Sequence, residues 1–271
     1  MKQPSENDVT YIETNKALWN KRVEHHVSSS FYDNEAFLNG KSTLNEIEME
    51  LLGDVHGKRI LHLQCHFGQD TMSLARMGAL TYGVDFSEKA IEIAKLFNDQ
   101  LHTDVQFICS DVYEIDRLNL GEFDIIFTTY GVIGWLPDLD KWAKIIARHL
   151  KTGGKLVFVE FHPFIWMYDD YFDGITYSYF NDEPIIELST GTYAENDADI
   201  TNESIGWNHS ISEVLTALLS SGLTIKQFKE FKHSPYNCFN EMKQLPNGHW
   251  IIEKFGEKMP LVYAIEANKK G

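Results

Sequence analysis

The stretch that decides the fold is Arg59-Ile60-Leu61-His62-Leu63-Gln64-Cys65-His66-Phe67-Gly68-Gln69-Asp70, with Leu80-Thr81-Tyr82-Gly83-Val84-Asp85-Phe86-Ser87 after it. A short apolar run ends near a glycine, and a helical period starts at Asp70 and stops at Gly78. A second apolar run ends at Asp85, and Ser87 caps a helix reaching about residue 98. This is a strand, a helix, a strand and a helix joined by short links.

Outward from there the alternation continues. Residues 105–109 and 123–128 read as the third and fourth strands, the latter apolar enough to be buried on both faces. Residues 138–150 read as a helix, Thr152-Gly153-Gly154 as a turn, and residues 155–160 as the fifth strand. Upstream, Thr43 and Glu46 have capping-box spacing before a helix ending at Gly53. Downstream, Ser210 and Glu213 repeat that signal before a helix ending at Gly222, then strands follow at 223–231 and 261–267. The return between these last two contains no helix, which points to a final antiparallel strand. The expected fold is α/β: a Rossmann-like, doubly wound, seven-stranded sheet with the last strand reversed. Residues 163–206 interrupt the pattern and read as an antiparallel β insertion after strand five, on the substrate side. Residues 1–40 read as an N-terminal arm or lid, with a short helix around residues 17–25, and residues 41–271 as the main domain.

Composition narrows the function classes. The 271 residues are 43% apolar and 13% aromatic, and 24 Lys and Arg against 40 Asp and Glu leave a net charge of −16. A chain this long buries about three-quarters of its unfolded surface without staples. The acidic balance argues against tracking a phosphate backbone. Three scattered cysteines form no disulfide framework and suit a reducing compartment. The segment from Met1 to Asp8 has no apolar signal region, and no run reaches the roughly 18 apolar residues of a membrane span. The expectation is a cytoplasmic protein with a small-molecule partner, no nucleic acid and no membrane.

In doubly wound sheets the ligand sits beyond the carboxyl ends of the strands. The first link keeps one glycine, Gly68, and places Gln64 and His66 where a pyrophosphate needs bare backbone, which weighs against a nicotinamide cofactor. Asp85 ends the second strand seventeen residues after Gly68. Its carboxylate can take two ribose hydroxyls, or it can serve the helix start beside Ser87. Asp111 follows the third strand, where it can accept from an adenine amino group while the Val112 backbone reads the ring edge; turns also favour Asp. Tyr130 and Trp135 follow the fourth strand, where their rings can line a reacting centre, although Trp135 better suits the core. His162 ends the fifth strand as a candidate general base or a packing residue. His62-x-x-Cys65-His66 lacks a second ligand cluster, and His62 falls inside a strand, so no metal site is expected.

These residues in this order resemble the class I S-adenosylmethionine-dependent methyltransferases of the type 11 kind. The resemblance runs from Arg59 to Glu160. It rests on Gly68 after the first strand, Asp85 ending the second, Ser110-Asp111 ending the third, Phe123-Asp124-Ile125-Ile126 as the fourth, and Leu150-Lys151-Thr152-Gly153-Gly154-Lys155-Leu156 entering the fifth. The departure is in the first motif, where His62, Gln64 and His66 replace an acidic residue and two glycines. The resemblance implies S-adenosyl-L-methionine as cofactor, held by Gln64, Cys65, His66, Gly68, Asp85, Phe86, Asp111, Val112 and Thr129. It implies methyl transfer to a small molecule, with His162 and Tyr130 on the acceptor side. The aromatic insertion suits a lid or a homodimer contact. A fold relative without a cofactor, or a nicotinamide oxidoreductase, are the alternative readings.

Overall fold

In the computed structural model, which describes residues 6–270, the central layer is one seven-stranded sheet. Its strands are β1 (Arg59–Leu63), β2 (Leu80–Asp85), β3 (Gln106–Cys109), β4 (Phe123–Thr129), β5 (Leu150–Phe161), β8 (Leu223–Phe231) and β11 (Val262–Lys269). The order β3-β2-β1-β4-β5-β11-β8 puts the last strand between β5 and β8, antiparallel to both. The remaining neighbours pair in parallel. The expected seven-stranded sheet with a reversed final strand is therefore present, and its switch point lies between β1 and β4.

Helices cover both faces. The α6 helix (Leu139–His149) and α7 (Ile211–Ser220) bury Trp142, Ile146, Val214 and Leu218 against Ile126, Leu156, Phe158 and Tyr263. On the other face α3 (Glu46–Leu52) sets Ile47 and Leu51 against Ile60, Phe127 and Val157. The α4 helix (Gln69–Arg76) and α5 (Glu88–Leu101) flank β1–β3, and the β6 (Ile185–Thr190) and β7 (Thr201–Gly206) strands form a separate antiparallel hairpin within the insertion.

Four local readings change. The arm carries a helix, α1 (Glu6–Ser28), much longer than residues 17–25, followed by α2 (Asn34–Leu38); residues 1–5 of the arm and Gly271 lie outside the described residues. The Thr43 and Glu46 pair is no capping box. Asn45 precedes α3 without a side-chain cap, and the Thr43 hydroxyl donates to Asp70 Oδ1 at 2.5 Å. Thr152-Gly153-Gly154 lies inside β5 as a register break, where Phe123 pairs with Leu150 and Ile125 with Lys155. The return between β8 and β11 carries its own small hairpin, β9 (Met242–Gln244) and β10 (Trp250–Ile252).

Candidate functional site

A cavity of about 1360 Å³ opens at the carboxyl ends of the parallel strands. One wall is the sheet edge. Gln64 and His66 sit in left-handed backbone at φ 55° and 51°, which turns their side chains into the space that glycines would leave bare. Gln64 Nε2 donates to the Val132 carbonyl at 2.8 Å, tying the first link to the fourth. Gly68 is needed for two reasons: its φ is 79°, and an added Cβ would stand 2.3 Å from the Phe107 ring.

Asp85 is buried, and each carboxylate oxygen accepts one backbone N–H: His66 at 2.8 Å and Ser87 at 2.9 Å. Burial pushes this acid up to about 6, with the backbone donors pulling the other way. Ser87 itself caps α5, so the helix start does not depend on Asp85 alone. Asp111 accepts from the Tyr113 N–H at 2.9 Å and is raised by burial. Gln64, Cys65, His66, Gly68, Asp85, Phe86, Asp111, Val112, Thr129 and Tyr130 all line this one cavity.

His162 does not. Its ring is buried with Nε2 3.0 Å from Glu230, Nδ1 accepts the Phe164 N–H at 3.2 Å, and the ring meets Tyr263 edge-on at 6.0 Å. His162 lies one residue past the end of β5, where its ring turns toward Glu230 of β8, while Glu160 and Phe161 line the cavity. Both nitrogens are engaged, so the acid–base expectation for His162 has no geometric basis. Trp135 departs in the opposite direction. It is half-buried, lines the cavity, and meets Trp19 edge-on at 5.4 Å.

Several groups here escape a reading of the sequence links. Glu160 is a buried carboxylate that accepts four backbone N–H groups, from Gly131 at 2.5 Å, Val132 at 2.8 Å, Ile133 at 3.2 Å and its neighbour Phe161 at 2.7 Å. It fixes the link after β4, where Tyr130 adopts φ 44°. Glu48 on α3 is fully buried, and desolvation, helped by the charge of Asp70, pushes it up to about 7. One Glu48 oxygen and the Tyr130 hydroxyl each lack a hydrogen-bond partner. They lie close enough that the Glu48 charge adds to burial in holding the Tyr130 phenol protonated.

The roof comes from the arm and the insertion. Asn15, Trp19, Arg22 and His26 follow a helical period along α1, a signal that was available in the sequence. Asn15 donates to the Ile205 carbonyl at 2.7 Å and accepts the Ile205 N–H at 3.0 Å, which docks α1 on β7. His25 meets Glu195 at 2.9 Å, and the Tyr32 and Tyr193 hydroxyls bond each other. His26 and His66 lie 3.4 Å apart between nitrogens; burial depresses them to about 2 and about 3, so both stay neutral. The Arg22 guanidinium sits 5.5 Å from the Trp19 ring centre and 5.9 Å from that of Trp135, with a buried Nε that has no partner. Trp166, Tyr168, Tyr171, Phe172 and Tyr177 of the insertion close the far side.

With this geometry in place, known proteins can be compared. Residues 61–158 match the family described as a methyltransferase domain. The ubiquinone biosynthesis O-methyltransferase of Coxiella burnetii is 35% identical over 115 residues, 42% of this chain and 47% of that protein. A methyltransferase of Synechocystis is 32% identical over 131 residues, covering 48% of this chain and 59% of its own. The chain thus matches about half the length of these curated relatives. Among solved structures, an S-adenosylmethionine-dependent methyltransferase from Listeria monocytogenes superposes with a TM-score of 0.58 at 18% identity, over 83% of this chain and 96% of that one. One from Mesorhizobium loti gives 0.56 at 19%, over 86% and 100%. At such identities these structures speak for the fold. No helix among the described residues is long and apolar enough to cross a membrane.

Proposed function

We infer the chemistry of a chain whose residues 61–158 match the methyltransferase-domain family: it moves a methyl group from S-adenosyl-L-methionine to a small-molecule acceptor inside the cavity. The observation that carries this reading is the row of polar groups at the strand ends, from Gln64 through Asp85 to Asp111, on one wall of one cavity.

The residues fit the cofactor. Its methionyl end needs an acceptor for an ammonium and a cation for a carboxylate. Gln64 Oε1 is buried without a partner, and so is Arg22 Nε. Gln64 therefore stands in for the missing acidic residue of the first motif, and Arg22 for the cation. Each Asp85 oxygen has spent one lone pair on a backbone N–H and keeps another for a ribose hydroxyl. Asp111 and the Val112 backbone serve the adenine; Cys65, His66, Gly68, Phe86 and Thr129 shape the remaining wall. The His66 ring fills space that a pyrophosphate would need, which favours this cofactor over a nicotinamide.

When bound, the cofactor supplies an electrophilic methyl group on a sulfonium, and the transfer is an in-line displacement. The protein's share is alignment, water exclusion and a place for one proton. Tyr130 and Glu48 suit an acceptor hydroxyl. The acceptor O–H donates to the Tyr130 oxygen, and the Tyr130 proton passes to Glu48, whose pKa of about 7 matches the task. The O-methyltransferase names among the relatives agree with an oxygen acceptor. Three unpaired cysteines and the charge of −16 support a cytoplasmic enzyme without a nucleic-acid partner. Exposed Tyr171, Ile175 and Phe180 on the insertion support a homodimer contact there.

The test is ligand-induced stabilisation. Millimolar S-adenosylhomocysteine raises the melting temperature and NAD does not. Asp85→Ala, checked for folding by circular dichroism, loses about 1.5–3 kcal/mol of that affinity, or roughly ten- to a hundredfold. A shift with NAD alone installs an oxidoreductase; no shift with either ligand supports a fold relative without a cofactor.

A further inference from the structure

A second cluster lies outside the main cavity, between α3 and the segment that joins β8 to β11. Glu46 opens α3, His233 follows β8, and His249 precedes β10. One donor atom from each of the three lies within 4.8 Å of the others. The two imidazoles stack at 3.9 Å between ring centres and 6° between planes, and His249 Nε2 stands 3.0 Å from Glu46 Oε1. His233 Nε2 is buried without a hydrogen-bond partner. These residues line their own small cavity of about 250 Å³, with Asn45 and Asn247 beside them.

We propose that Glu46, His233 and His249 form a binding site for a borderline divalent cation of the zinc type. The donor chemistry carries the choice. Two neutral imidazoles and one carboxylate suit Zn²⁺, Co²⁺ or Ni²⁺, whereas Mg²⁺ and Ca²⁺ prefer oxygen alone. The buried, unpartnered His233 nitrogen is a cost in the empty state that a metal bond removes. Nitrogens bound at about 2.1 Å to a tetrahedral ion stand about 3.4 Å apart, so separations of up to 4.8 Å need to contract by at most about 1.4 Å. The parallel stack has to open, because two rings sharing one ion cannot both point at it while lying face to face. His249 already has an orienting partner: Asn247 Nδ2 donates to His249 Nδ1 at 3.1 Å. When His249 Nε2 takes a metal, the ring proton moves to Nδ1, and the Asn247 amide turns to offer its oxygen. Water fills the open position.

The consequence is mechanical. Asn45 lines both cavities and donates to the Tyr236 hydroxyl at 2.7 Å and to Glu48 at 3.2 Å. Tyr236, three residues after His233, meets Tyr130 edge-on at 5.0 Å. Ser234 and Trp250 exchange two backbone hydrogen bonds at 2.8 Å, so His233 and His249 move as one piece. A cation at this site clamps that piece to α3 and holds Tyr236 and Phe239 against the acceptor end of the main cavity. The ion touches no reacting atom.

The test uses the full chain, stripped with a chelator and titrated with ZnCl₂ near neutral pH by calorimetry. The expected result is one ion per chain, with visible ligand-field bands when CoCl₂ replaces zinc. His233→Ala and His249→Ala each weaken zinc binding by at least about tenfold and abolish the cobalt bands; His249→Asn serves in place of His249→Ala if that variant fails to fold by circular dichroism. Glu46→Gln weakens binding less and shifts the cobalt bands. Absence of stoichiometric zinc binding, or zinc affinity unchanged in the His233→Ala and His249→Ala double variant, overturns the site.

Discussion

The two sides of the main cavity are held by different means. The sheet wall is built on backbone: Asp85 takes two N–H groups, Asp111 one and Glu160 four, nearly all from the links themselves. The roof is built on side chains that meet across long stretches of chain: Asn15 with Ile205, His25 with Glu195, Tyr32 with Tyr193, Asn45 with Tyr236. The roof joins segments far apart in the chain, and it is also tied to the wall, where Ser87 donates to Asn20 and Gln69 to the Tyr32 carbonyl.

The sharpest way to break the wall is Glu160→Ala. It strands four backbone donors in a buried site, and hydrogen bonds to a charged group are worth about 1.5–3 kcal/mol each. Even with water entering from the cavity, the expected loss is about 3 kcal/mol or more, a large part of a typical domain's stability. Urea unfolding measures it. Glu160→Gln, which keeps an acceptor, should recover part of the loss. A variant as stable as the parent would show that the link after β4 holds itself.

Glu48 probes the seam between wall and roof through pH. Its pKa is near 7 when folded against 4.5 when exposed, because burial and Asp70 disfavour the charge. Between those values the folded state holds more protons than the unfolded one, so this group's contribution falls as pH rises from about 4.5 to 7 and is constant above. At 1.36 kcal/mol per unit the total is up to about 3 kcal/mol. Glu48→Gln removes that slope, so the stability difference between variant and parent should grow across this window. A pH-independent difference would contradict the buried charge.

The same division explains what was legible in the sequence. The sheet order follows from alternation and short links, and Gln64, Asp85 and Asp111 could be singled out because each sits at or just past a strand end; all three line the cavity. Glu160 was read only as the end of a strand, since nothing local says that a carboxylate will gather four amides from a link about thirty residues earlier. Glu48 resembles any Glu on an amphipathic helix; only packing shows that it faces inward. His162 misled because link position was taken as sufficient, when its partner Glu230, sixty-eight residues on, sets which way the ring turns. Asn15, Trp19, Arg22 and His26 carried a helical period that could have placed them on one face, but not what that face covers.

Asn15→Ala tests the roof with a smaller effect. It removes two hydrogen bonds between α1 and β7, at a cost of about 1–2 kcal/mol. Because α1 keeps its hydrogen bonds between Asn20 and both Ser87 and Glu88, global unfolding should change little. Amide exchange should instead quicken along residues 201–206, and S-adenosylhomocysteine should dissociate faster. Exchange confined to its parental rate would mean that α1 is docked chiefly by its aromatic face.

The smallest effect on turnover belongs to His162→Gln, and it separates position in the chain from position in the site. Gln keeps a donor toward Glu230 and an acceptor toward the Phe164 N–H, the two contacts His162 makes. The ring's edge against Tyr263 is lost, at a cost of about 0.5–1.5 kcal/mol. A general base would surrender a hundred- to ten-thousandfold in turnover, whereas a residue turned toward β8 should leave turnover within about twofold once an acceptor is in hand. Tyr130→Phe in the same assay provides the contrast, since it removes the hydroxyl that lies beside Glu48. Loss of turnover in His162→Gln with Tyr130→Phe unaffected would move the acid–base chemistry back to the end of β5 and leave Glu48 as a purely structural buried acid.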